Sequence, residues 1–235
     1  MRHRSIHGLI EDRQKTFNIL QGIEFEEFDD FPPYSEVLTD EGPYRDYLRN
    51  RHVPEDYPVM IQKQNDGIHW TRPNVVIPFT YENKVVGWTA RMLDNKIPKF
   101  INHTQPGYVF GTDLQQSEWE HVLVMEGIFC ALSVSGLAVM HNTISDAQAR
   151  LIRSLGKQIT VVPDQDKAGL ELIDRAVELG WAVSIPDWGK QIKDVNDSVV
   201  AYGKLATLLM IMQARETSKI KIELRKKQLA KRIQH

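Results

Sequence analysis

Two apolar runs that each end in acids constrain this chain more than any other feature. Val122-Leu123-Val124-Met125 leads straight into Glu126-Gly127, and Thr160-Val161-Val162-Pro163 leads into Asp164-Gln165-Asp166. A short continuous apolar run bounded by polar residues reads as a strand buried on both faces, as in a parallel sheet between helix layers. Between and after these runs lie helical patterns at residues 128–135, 145–155 and 168–179. Ser145 is a candidate N-cap, and Gly156 and Gly180 follow the last turns of their helices. Further short strands are expected at 136–140, 158–163 and 181–185, and residues 194–209 read as largely helical. Strands alternating with helices of about 10–15 residues imply βαβ units and a mostly parallel sheet.

The first half has a different texture. Residues 74–80 (NVVIPFT) and 84–92 (KVVGWTARM) are rich in β-formers, with the turn-like Glu82-Asn83 between them, which is a hairpin signal. Residues 98–102 add a short strand, and a short helix is expected from Tyr44. From Glu24 to Glu41 there are eight acids and no basic residue, with Pro32-Pro33 inside, so this stretch reads as loop or edge structure. Residues 1–22 begin with a helix on whose face Ile6, Leu9, Ile10, Phe17 and Leu20 fall. The fold class expected is α+β joined to α/β. A mixed β-rich lobe spans 1–115, a doubly wound α/β lobe spans 116–205, and a basic helix occupies 206–235. From Lys219 to His235 there are seven Lys or Arg and one Glu. Ile220, Leu224, Leu229 and Ile233 fall near helical spacing there, which suits a nucleic acid, a partner groove or a plain solvated face.

Bulk properties exclude several classes. The single cysteine, Cys130, allows no internal disulfide and no Cys-rich zinc module, and suits a reducing compartment. No apolar run approaches the roughly 18 residues that span a bilayer, so no membrane association is expected, and the first residues lack the apolar core of a signal peptide. The formal net charge of -2 over 235 residues gives no global attraction to nucleic acid. The eight histidines show no metal-ligand spacing.

Ligands of open α/β sheets sit at the carboxyl ends of the parallel strands, and Glu126, Asp164 and Asp166 fall there. Taken singly, Glu126 or Asp166 could as well cap a helix N-terminus. Jointly they form a rarer pattern: strand, Glu-Gly, a gap of about 38 residues, strand, Asp-x-Asp, then Lys-Ala-Gly opening a helix. Clustered carboxylates repel one another unless a cation sits among them, and oxygen-only ligands suit Mg²⁺ or Mn²⁺.

These segments carry a resemblance. VLVMEGIFCALSVSG resembles the first TOPRIM motif and VVPDQDKAG the second, and LAVMHNTISDAQARLI resembles the segment between them in bacterial DnaG-type primases. KDVNDSVVAYG resembles the Asp-Pro-Asp segment that follows. Upstream, VVIPFTYENKVVGWTARML and IPKFIN resemble the primase hairpin with its Gly-x-x-x-Arg and its Pro-Lys segment, so the likeness covers about residues 72–203. It implies DNA-templated primer synthesis by divalent-metal-dependent nucleotidyl transfer in DNA replication. Glu126, Asp164 and Asp166 would be catalytic and, with Asp194, metal-binding through Mg²⁺ or Mn²⁺. Arg91, Lys99 and Lys167 would contact nucleotide or DNA. Implied partners are single-stranded DNA, NTPs, and a replicative helicase or a separate zinc-binding subunit, since the zinc-binding module of such primases is not seen here. The stripped-down layout suggests a phage-encoded protein in a bacterial cell.

The chain also departs from the pattern. Cys130 stands where many primases carry a further acid, Asn196 stands where the second acid of Asp-Pro-Asp falls (with Asp197 beside it), and Val109-Phe110-Gly111 lacks the usual basic residue. These departures keep open a non-catalytic DNA- or partner-binding protein on the same scaffold, and TOPRIM alone would also allow a nuclease. His141 and Asn142 read as loop hydrogen-bonders, Trp88 and Trp181 as sheet residues, and Cys130 as helix packing.

Overall fold

The computed structural model describes residues 23–28, 30–63, 72–94, 96–189 and 191–233. The helix expected within residues 1–22, with Ile6, Leu9, Ile10, Phe17 and Leu20, lies outside them. The first sheet is a five-stranded antiparallel meander of β1 (Glu36–Val37), β2 (Met60–Gln62), β3 (Asn74–Tyr81), β4 (Lys84–Met92) and β5 (Phe100–His103), paired in chain order. The expected hairpin is β3–β4, turning at Glu82 and Asn83, both with positive φ. β1 forms an edge strand inside the acidic stretch, and helix α1 (Pro43–Asn50) follows it. A proline early in α1 suits the first turn, where backbone N–H groups have no helical acceptor.

The second sheet holds β6 (His121–Met125), β7 (Leu137–Ala138), β8 (Gln158–Val161), β9 (Ala182–Ser184) and β10 (Arg215–Glu216) in the order β10-β9-β8-β6-β7. The first three neighbour pairs built on β6 and β8 are parallel, and only β10 is antiparallel. The helices are α2 (Ile128–Val134), α3 (Asp146–Ser154), α4 (Gly169–Glu178), α5 (Val195–Tyr202), α6 (Lys204–Ala214) and α7 (Lys219–Ile233). Alternation along β6 sorts the two layers. Leu123 and Met125 join one core with residues of α2, α5 and α6, and Val122 and Val124 join the other with residues of α3, α4 and α7. The first core also contains Val75, Ile77 and Phe79 of β3, so the two sheets are welded through the α2 layer.

Two sequence expectations change. The helix expected over 194–209 is two helices, broken at Gly203, whose φ of 83° is a left-handed conformation glycine adopts without steric cost. In α7 the buried residues are Ile222 and Leu229, while Ile220 and Leu224 face solvent at 83% and 57% exposure. The expected stripe holds at Leu229, which is buried, and at Ile233, which packs against the second core, and fails at Ile220 and Leu224: on the side that docks against α4 the first turns contribute Ile222 instead. Val109 and Phe110, where a basic residue was looked for, are fully buried, and Phe110 bridges to Ala138 beside β7. Ser145 does cap α3, in a capping box with Gln148, whose side-chain amide also donates to the carbonyls of Tyr108 and Val139. Among the described residues no helix is long and apolar enough to cross a membrane.

Candidate metal centre

The chain leaves β6 toward β7 on one side and crosses back to β8 on the other, so β6 marks the point where the strand order reverses. Val124 and Val161 are partners there, and the Val162 N–H donates to the Val124 carbonyl at 2.8 Å. Glu126 and Asp164 therefore leave adjacent strands side by side, in the crevice where open α/β sheets bind ligands. Oε1 of Glu126 accepts from the backbone N–H of Asp164 at 3.3 Å. Gly169 explains the Lys-Ala-Gly that follows Asp-x-Asp: a Cβ there would lie 1.9 Å from the Asp164 carbonyl oxygen, so only glycine lets α4 begin this close to the acid.

Two further acids join, each with part of its capacity already used. Oδ1 of Asp166 accepts from the N–H groups of Ala168 and Gly169 at 2.9 and 3.2 Å, so it caps the start of α4. Oδ1 of Asp194 accepts from the Asp197 N–H at 2.8 Å and caps α5. The capping and cluster readings hold together for these residues, because each carboxylate keeps a second oxygen.

Electrostatics show how crowded the cluster is. Burial, followed by the charges of Glu126, Asp194 and Asp166, pushes Asp164 up to about 8. Burial pushes Glu126 up to about 7 against the opposing Asp164 N–H, and burial also raises Asp194. A carboxylate raised by burial and like charge is one that a cation would hold ionised. Among the described residues no three His, Cys, Asp or Glu side chains already surround a single point as ligands would. The donors still fit Mg²⁺ or Mn²⁺, since all are hard oxygens and Mg²⁺ commonly takes only one or two carboxylates, completing its shell with water and substrate phosphates.

Cys130, at the position where an acid was expected, is buried, with the backbone N–H groups of Val195 and Asn196 directed at its sulfur. Burial raises its thiol well above the ordinary value, so the residue is packing at the start of α5. Asn196 is also structural. Its Oδ1 accepts from Arg51 at 3.0 Å and its Nδ2 donates to the Arg51 carbonyl at 2.7 Å, a reciprocal pair that an Asp could not complete. The Arg51 guanidinium lies 5.9 Å from the Tyr47 ring centroid and 5.7 Å from that of Phe129.

Of the basic residues expected at the site, Arg91 and Lys99 lie in or beside the first sheet, and Lys167 directly follows Asp166. Arg91 lies over the Phe100 ring at 4.7 Å and donates to the Tyr47 hydroxyl at 3.4 Å. Lys99 is exposed beside it, and Lys167 is exposed next to Asp166. Phe100, Phe129 and Tyr47 form an aromatic wall between Arg91 and the Arg51–Asn196 pair. Sequence reasoning missed Arg51, Gln165 and Lys193. Gln165 is buried between the two aspartates, donates to the Pro186 carbonyl at 2.6 Å and accepts from Arg232 of α7. Only Lys193 left a local trace, directly preceding Asp194. Asn142 donates to Glu171 of α4 at 2.5 Å, as a loop hydrogen-bonder would. Trp88 donates to the Asp30 carbonyl at 3.1 Å from the first sheet.

No protein-family model matches the chain. A DNA primase of Clostridium acetobutylicum is 25% identical over 178 residues, covering 66% of this chain and 29% of the relative. The chain thus spans less than a third of that relative's length. A solved DnaG catalytic core superposes with a TM-score of 0.57 at 17% identity, over 73% of this chain and 72% of that one. The Aquifex aeolicus primase, comprising zinc-binding and RNA polymerase domains, gives 0.57 at 17% identity over 80% and 66%. A DnaG primase catalytic domain bound to single-stranded DNA gives 0.55 at 17% over 73% of each.

Proposed function

We propose, from the premise that this chain is a homologue of the DnaG-type primase catalytic core in sequence and in fold, that it synthesises primers on single-stranded DNA. The observation that carries the reading is the convergence of Glu126 and Asp164 at the carboxyl ends of adjacent parallel strands, with Asp166 and Asp194 beside them. In primer extension the 3′-hydroxyl attacks the α-phosphate of an incoming NTP. A new P–O bond forms, the bond to the β-phosphate breaks, the hydroxyl proton is lost and pyrophosphate leaves. Glu126 and Asp164, with the remaining oxygens of Asp166 and Asp194, would hold Mg²⁺ or Mn²⁺, and the ion when bound supplies positive charge to the phosphate oxygens. Glu126, Asp164 and Asp166 are the residues proposed as catalytic. Arg91 and Lys99, on the far side of the aromatic wall, would bind the template or nucleotide, and Lys167 a phosphate near the acids.

NTPs, a template and a helicase or zinc-binding subunit are partners in this reading, and the bacterial cytoplasm, with phage encoding, is its setting. The test is labelled NTP incorporation on single-stranded DNA with Mg²⁺ or Mn²⁺, helicase and zinc module supplied. Wild type is expected to make primers and Asp164→Asn to lose at least about 10²-fold. Equal inactivity of both contradicts the reading. It would favour the second one, a non-catalytic DNA- or partner-binding protein, to which the buried Cys130 in place of an acid points. Metal-dependent DNA cleavage without incorporation would instead favour a nuclease.

A further inference from the structure

We propose that Lys193 is the resident counter-cation of the acid cluster and that its charge sets how tightly the cluster takes a divalent ion. The inference rests on the reading of Glu126, Asp164, Asp166 and Asp194 as a cation site.

The main chain on both sides of this lysine is fixed. Its carbonyl accepts from the Gln165 N–H at 2.6 Å, which sets residue 193 directly against the Asp-x-Asp loop. The next residue, Asp194, is held as the cap of α5. The Lys193 Nζ stands 3.7 Å from Oδ2 of Asp166, long for a dedicated ion pair. Its charge is felt by Asp164, Asp166, Asp194 and Asp197 together, and by Glu126. One ammonium therefore stands nearest Asp166 and acts on the rest of the cluster at longer range. Among the described residues Arg51 also acts on Asp194, but it is tied to Asn196 and the aromatic wall.

Two consequences follow from this placement. Before a metal arrives, Lys193 relieves the repulsion among the carboxylates. When a divalent ion enters, it meets a like charge within the same cluster, so Lys193 weakens its binding. The side chain is 59% exposed, which leaves the ammonium free to swing outward or onto a nucleotide phosphate as an ion takes its place. An arginine would keep the charge, and a glutamine would keep most of the stem without it.

The test measures Mn²⁺ binding to the full chain without nucleotide, by titration calorimetry at pH 8.5, for wild type, Lys193→Arg and Lys193→Gln, with folding checked by circular dichroism. Lys193→Gln is expected to bind Mn²⁺ about tenfold tighter than wild type, and Lys193→Arg within about twofold of it. Equal or weaker binding by Lys193→Gln overturns the proposal and leaves the metal-site reading standing, as does loss of the folded state in that variant while Lys193→Arg folds, because the charge then serves the fold. Absence of binding in all three overturns both. Tight binding by Lys193→Gln with none by wild type supports the role of Lys193 and contradicts metal-dependent catalysis by the natural chain.

Discussion

Glu126 and Asp164 carry protons in the metal-free fold that they would not carry in the unfolded chain. Burial and neighbouring acids place them at about 7 and about 8, whereas free carboxyls titrate near about 4. Between those limits the folded state binds more protons than the unfolded one, so the contribution of these groups to stability falls as pH rises. It is complete below about pH 4 and lost by about pH 8. In EDTA, the melting temperature of wild type should therefore drop between pH 5.5 and 8.5 by more than that of Asp164→Asn. Mg²⁺ at pH 8.5 should recover the difference by holding the carboxylates ionised. Parallel pH profiles for the two proteins in EDTA would show that Asp164 is not raised. At this scale the sequence was informative about identity and silent about environment. Strand-end acids, and a capping role for Asp166, could be picked out, but that Asp194 also spends an oxygen on a helix cap depends on where the next N–H groups fall.

At the scale of elements, the join between the antiparallel sheet and the parallel one runs through α2 and α5. The reciprocal Arg51–Asn196 hydrogen bonds link residues 145 apart, and Asn196 is 1% exposed. Asn196→Ala removes both bonds and leaves the Arg51 carbonyl without its donor. It is expected to cost about 1–3 kcal/mol in chemical denaturation, and Asn196→Asp, which keeps only the acceptor, should fall between alanine and wild type. A loss in Asn196→Ala below about 0.5 kcal/mol would mean that the pair does not hold the lobes together. The long periodic elements, β3, β4, β6 and α3, could be read locally because their patterns extend over enough residues. The short edge strands β1 and β10, two residues each, could not, since pairing rather than pattern creates them. The first turns of α7 were misread for a similar reason. Ile220, Ile222 and Leu224 lie on alternate positions of a charged helix, and only the docking against α4 selects Ile222.

For the molecule as a whole, the order of strands around β6 brings acids 38 residues apart to one crevice, and a shared core joins the β3–β4 hairpin to α2, which follows the first of them. The site is therefore a product of topology. The sequence supplied its acids and, in Lys193 directly before Asp194, a trace of their counter-cation, while Arg51 and Gln165 became visible only when distant segments met. The central claim is that the crevice between Glu126 and Asp164 is a divalent-cation site. The most direct measurement is anomalous diffraction from a crystal soaked in Mn²⁺ at a pH above 8. The account predicts an anomalous peak within coordination distance, about 2.0–2.3 Å, of carboxylate oxygens of both Glu126 and Asp164. A well-ordered site with both carboxylates resolved and no peak between them would contradict it.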